Sequence, residues 1–150
     1  MGTRALIIGK DKDGNIRYGQ THYDGYANTD WLNMHMLGIE KVENFLKYLT
    51  EGGADGNGHG ISSLSYKRDY DVDNQVVIRH DDKPVVNWYE ESYNCGIVKE
   101  WDYTYEEVSK MFDFPEYISL WLGEMWFDFE VNPEDYKIFM EVLTKGEENA

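Results

Sequence analysis

Cysteine occurs once, at Cys95, so the chain forms no internal disulfide and no thiolate zinc site. Basic residues are scarce as well: 14 Lys and Arg stand against 29 Asp and Glu, a formal balance of −15. A field of that sign repels phosphate backbones and anionic lipid, which argues against direct nucleic-acid or membrane binding. No apolar run approaches the roughly 18 residues that cross a bilayer. The opening stretch carries no basic-then-apolar pattern, "ALII" being only strand length, so a cytoplasmic location is expected.

Catalytic and metal signatures are also missing. His22, His35, His59 and His80 lie far apart and form no HExxH-like pair. No GxSxG motif surrounds Ser62, Ser63 or Ser65. Asp81 with Asp82, and Glu106 with Glu107, read as solvated turn and cap residues rather than an acid–base pair. In "DKDGNIRYGQTH" the glycine falls at the fourth place and His22 replaces the bidentate glutamate, which excludes an EF-hand. The glycine-rich "GGADGNGHGISS", residues 52–63, is followed by no Gly-Lys-Ser/Thr and reads as a loop. No catalytic residue, metal or cofactor is assigned, and an enzyme of unspecified type is kept only as a residual reading.

What is present suffices for a packed domain. With 5 Trp, 12 Tyr and 6 Phe, residues 1–150 read as one domain with a real core, not as a disordered acidic tail. "TRALIIGKDKDGNIRYGQTHY" predicts a hairpin, with strands near 3–9 and 15–22 around the turn "KDKDGN". Asn28, Thr29 and Asp30 offer helix caps. Met36, Ile39, Val42, Phe45, Leu46 and Leu49 then recur at helical spacing, predicting one helix over about 30–51 closed by "EGG".

"QVVIRH", "PVVNWYEE" and "CGIVKEWDY" predict an antiparallel meander, with Trp101, Tyr103 and Tyr105 on one strand face. Thr104 with Glu107 makes a capping box for the helix that follows. "DFPEYISLWLGEMWFDF" reads as helical, with Trp121 and Trp126 turned to the core. "NPEDYKIFMEVL" starts a helix at Asn132 and Pro133. The expected fold is α+β: an antiparallel sheet of about four to six strands, one helix packed on it, and a helical acidic C-terminal third.

Charge is concentrated in that third. Residues 100–150 hold 3 basic and 14 acidic groups, a balance of −11, whereas residues 1–99 hold 11 and 15, a balance of −4. The acidic set comprises Glu106, Glu107, Glu116 and Glu124, followed by Asp128, Glu130, Glu134 and Asp135. A second concentration is aromatic. "GQTHYDGYANTDW" brings His22, Tyr23, Asp24, Tyr26 and Trp31 into one elbow, where Asp24 and Gly25 suit a tight turn. A structural corner is one role for it. If the elbow holds a ligand, Arg4 and His59 are its expected neighbours.

"MGTRALIIGKDKDG" and the following "YGQTHYDGY" resemble a family of small phage and bacterial proteins. Its members begin Met-Gly-Thr-Arg, pass through a hairpin, and reach an aromatic-Asp-Gly-Tyr elbow before a helix. The matching residues are Gly2, Thr3 and Arg4, then Tyr23, Asp24, Gly25 and Tyr26. Members usually continue with a proline and Gly-His-Gly; here "ANTDW" follows, and Gly-His-Gly stands at 58–60. The resemblance implies a phage or mobile-element setting and no particular reaction.

Two functional readings follow. In the first, a non-enzymatic anti-defence protein binds and inhibits a basic, nucleic-acid-handling host protein. Its carboxylates compete for the Arg and Lys groups that hold phosphate, a form of nucleic-acid mimicry. In the second, the chain sequesters a nucleotide-like small molecule, stacking a base on the elbow and holding phosphate on backbone N–H groups of the glycine loop, with Arg4, Lys67, Arg68 and Arg79 as the candidate cations. Self-association into a homo-oligomer is left open.

Overall fold

The computed structural model describes residues 3–21, 24–51, 70–71, 76–77, 95–111 and 114–148. The N-terminal hairpin forms as expected, from β1 (Ala5–Lys10) and β2 (Ile16–Thr21). Asp11 organises its turn: Oδ1 accepts from the Asp13 and Asn15 N–H groups, both at 2.9 Å, and Oδ2 meets Arg17 Nε at 2.9 Å. Burial opposes the charged carboxylate, but Arg17 and the two backbone donors outweigh it and hold Asp11 below its ordinary pKa. Arg17 also donates to Thr50 Oγ1, which ties the hairpin to the end of a helix.

The predicted single helix is two. α1 (Asn28–His35) and α2 (Ile39–Glu51) are separated at Gly38, whose φ of 99° is a left-handed conformation that glycine adopts without penalty. Met36, Val42, Phe45, Leu46 and Leu49 are buried as the spacing predicts, whereas Ile39 at the start of α2 is 56% exposed. The cap residues differ too. Ala27 precedes α1, and Asn28 and Thr29 turn their side chains inward to the sheet instead of capping.

Of the predicted meander the structure gives β4 (Val76–Val77), which pairs antiparallel with β3 (Tyr70–Asp71) just ahead of that region, and β5 (Gly96–Val98), which pairs with β2. "PVVNWYEE" lies outside the described residues. Trp101 and Tyr103 follow β5 without forming a strand. Both pack inward, their rings 4.8 Å apart, and Tyr105 opens α3 (Tyr105–Met111).

The largest correction concerns the C-terminal third. "DFPEYISLWLGEMWFDF" is not a helix: it forms β6 (Tyr117–Trp121) and β7 (Trp126–Glu130), and only α4 (Pro133–Glu148) is helical beyond them. β6 lies parallel to β1, so the five-stranded sheet is mixed rather than antiparallel, in the order β5-β2-β1-β6-β7. A parallel pair is stable here because both faces of the sheet are covered. Ile7, Trp121 and Trp126 pack under α1 and α2, while Leu6, Ile8, Ile118 and Leu120 pack against Trp101, Val108 of α3 and α4. Trp121 and Trp126 are core residues, as expected, although strands rather than a helix carry them there.

Candidate functional site

At the elbow, Asp24 rather than Gly25 adopts the left-handed conformation, with φ 57°. Gly25 is required for a different reason. Its N–H donates to Thr3 O at 2.9 Å, and a Cβ there would stand 2.7 Å from Ala5 Cβ and 2.9 Å from the Thr3 carbonyl. The elbow is thus wedged against the start of β1, beside the Arg4 backbone. Tyr26 is exposed, its hydroxyl 3.4 Å from Asp24 Oδ1. Trp31 is half-buried on the α1–α2 core, with its ring 4.7 Å from that of His35. His22, Tyr23 and His59 lie outside the described residues, as do Lys67, Arg68 and Arg79.

Behind the elbow runs a seam of polar contacts that the sequence patterns do not reveal. Asn28 Nδ2 donates to Thr21 Oγ1 at 2.8 Å, and the hydroxyls of Thr29 and Ser119 stand 2.7 Å apart. Thr29 in turn donates to Asp128 Oδ1 at 3.1 Å. Further along α1, Asn33 bonds the backbone of Trp126, whose indole N–H donates to Met36 O at 2.9 Å. Asn28, Thr29 and Ser119 are buried, so the seam fastens α1 to the sheet and offers no nucleophile to a substrate. Burial likewise pushes the Cys95 thiol above its ordinary pKa, which leaves it protonated and weakly nucleophilic.

The acidic residues come together more closely than their sequence spacing suggests. Glu106 and Glu107 open α3, where Thr104 and Glu107 complete the capping box at 3.0 and 3.1 Å. Glu134 and Asp135 open α4, where Asn132 Oδ1 caps the Asp135 N–H at 2.8 Å. Tyr105 and Tyr136 pack with centroids 6.2 Å apart and bring these two helix starts to one end of the sheet. Burial raises Tyr136 to about 12, with the nearby Glu107 carboxylate contributing. Glu116 and Glu130 flank the same end, joined through the Val131 N–H to Glu116 O bond and the Tyr117–Glu130 pairing.

Asp128 borders this group from β7. Desolvation raises its pKa above the ordinary 3.8, as do Asp30, Glu130 and Asp135, and the Thr29 hydrogen bond opposes them. The residue as a whole is exposed, so the desolvation acts at its Thr29-facing carboxylate. Glu124, in the β6–β7 turn, is the outlier at the far end of β7. Glu106, Glu107, Glu116, Glu124, Asp128, Glu130 and Glu134 are exposed and Asp135 is half-buried. None of the eight has an ion-pair partner among the described residues.

Within the acidic end lies an apolar groove of about 360 Å³. It is lined by Tyr105, Phe114, Pro115 and Val131 together with the polar Glu106, Ser109 and Lys110. Sequence reading missed this site because its walls come from three separated segments. Phe114 beside Pro115 was its one local signal.

Among the described residues no group of His, Cys, Asp and Glu is placed to hold a metal ion, and no helix is long and apolar enough to cross a membrane. No protein-family model matches the chain, and no curated protein or solved structure matches it.

Proposed function

We propose that this is a non-enzymatic protein whose acidic end binds a basic, nucleic-acid-handling partner and blocks its phosphate-binding surface. The observation that carries the reading is the convergence of Glu106, Glu107, Glu116, Glu130, Glu134 and Asp135 at one end, unpaired with cations among the described residues. Carboxylates held in that way raise the local concentration of a cationic surface and compete with phosphate for it. Asp128 supports the reading. Desolvation is the main cause of its raised pKa, and Asp30, Glu130 and Asp135 add like charge to it, which a cationic partner would neutralise.

The setting implied by the N-terminal resemblance completes the proposal: a phage-type accessory protein in the host cytoplasm, directed against a defence component. The test is capture from nuclease-treated host lysate at low and high salt. Wild-type protein and Glu124→Lys retain basic nucleic-acid-binding proteins at low salt. A variant carrying Glu106→Lys, Glu116→Lys, Glu130→Lys and Glu134→Lys does not. Equal retention by the folded fourfold variant would refute the proposal.

A further inference from the structure

Two non-glycine residues among those described have left-handed backbone, Asp24 and Phe114. Aspartate tolerates that conformation, but for a bulky aromatic it is unfavourable. Phe114 nevertheless adopts φ 54°, fixed by its N–H to Ser109 O bond at 3.1 Å. The side chain gains little burial in return, for it is 67% exposed. The strained backbone therefore presents to solvent an aromatic ring that lines the groove.

The electrostatic surroundings indicate what the ring meets. Glu106 lines the groove, and Glu116 and Glu130 adjoin the lining residues Pro115 and Val131 in sequence. Lys110 is the cation among the described residues that line the groove. It stands one helical turn from Glu106, yet the two form no ion pair, so the Glu106 carboxylate is available. An exposed aromatic ring that lines the same groove as an available carboxylate matches the guanidinium group. Its flat cation stacks on the ring while its N–H groups bond the carboxylate, a geometry the spherical ammonium of lysine does not reproduce.

We propose that the groove is the anchor of the acidic end and receives an arginine side chain of the basic partner, stacked on Phe114 and paired with Glu106. The inference rests on the acidic-end reading above and adds residue selectivity to it: arginine over lysine at this position.

Isotope-labelled protein titrated with hexa-arginine, hexa-lysine and hexa-glutamate peptides, read by NMR, tests it. Hexa-arginine is expected to shift Tyr105, Phe114 and Val131 most strongly and to bind more tightly than hexa-lysine. Phe114→Ala should weaken hexa-arginine about three- to tenfold, the range of one aromatic–cation contact. Lys110→Gln should strengthen it by removing a like charge.

Phe114→Gly separates folding from binding. It relieves the backbone strain, so the protein should melt higher while binding hexa-arginine more weakly. Hexa-arginine binding that is unchanged by Phe114→Ala, with shifts confined to Glu130 and Glu134, would overturn the anchor and leave the acidic-end reading intact. Weakened binding in Lys110→Gln would also overturn it. Binding of hexa-arginine no tighter than hexa-glutamate would overturn both readings.

Discussion

The side-chain amide of Asn33 closes both outward backbone groups of Trp126: Nδ2 donates to its carbonyl at 3.0 Å, and Oδ1 accepts from its N–H at 2.8 Å. β7 lies at a sheet edge, where unpaired backbone groups invite another strand. Further along, the Glu130 N–H donates to Asp135 Oδ2 at 3.0 Å. The edge is therefore closed by side chains at two of its outward-facing positions. Asn33→Ala leaves the part-buried Trp126 groups without partners and should cost about 1–3 kcal/mol. Chemical denaturation measures that loss, and size-exclusion chromatography should show concentration-dependent association of the variant.

The α2 core carries a larger load. Phe45 is 1% exposed and meets the Trp126 ring edge-on at 6.2 Å. Phe45→Ala should destabilise the fold by about 3–5 kcal/mol. A melting temperature unchanged within a degree or two would contradict the packing of α2 on the sheet.

At the elbow, close approach and backbone conformation belong to adjacent residues, and two substitutions separate them. Gly25→Ala forces a methyl group against Ala5 and the Thr3 carbonyl and should cost about 1–3 kcal/mol. Asp24→Gly relaxes a left-handed residue and should leave stability nearly unchanged or slightly raised. If Gly25→Ala is neutral, the wedge against β1 is wrong.

Two carboxylates give opposite pH signatures. Asp11 is held below its ordinary 3.8 in the fold, so its contribution is present above 3.8 and is lost as pH falls through the lowered folded value. Asp128 is raised. Its ionisation is resisted in the fold, so stability declines as pH rises from 3.8 through the raised value. Asp128→Asn keeps an acceptor for Thr29 and removes the charge. That variant should melt above wild type at neutral pH, with the difference closing below 3.8. Calorimetry across the acid range reads both effects.

The hairpin, the capping box and the Asn132–Pro133 helix start were legible because each is set by neighbours within a few residues. Asp11, Thr104 and Asn132 find their backbone partners locally, whatever the rest of the chain does. β6 was not legible as a strand. Ile118, Ser119, Leu120 and Trp121 are all buried, so the two-residue alternation that marks a half-exposed strand is absent. Helical spacing from Ile118 to Trp126 then arises by coincidence. The overlooked signal was Gly123-Glu124, a two-residue hairpin loop whose glycine has φ 93°. The acidic residues were visible one by one. Their convergence was not, because it depends on α3 and α4 starting at the same end of a sheet that the helical reading had dissolved.

Competition between the protein and double-stranded DNA for the captured partner tests the central claim most directly. Wild-type protein is predicted to displace DNA, and displacement should weaken as salt screens the charges over about 8 Å at physiological ionic strength. The fourfold variant at Glu106, Glu116, Glu130 and Glu134 is predicted to leave DNA bound, while Glu124→Lys behaves as wild type. A folded fourfold variant that displaces DNA as well as the wild type would contradict the account.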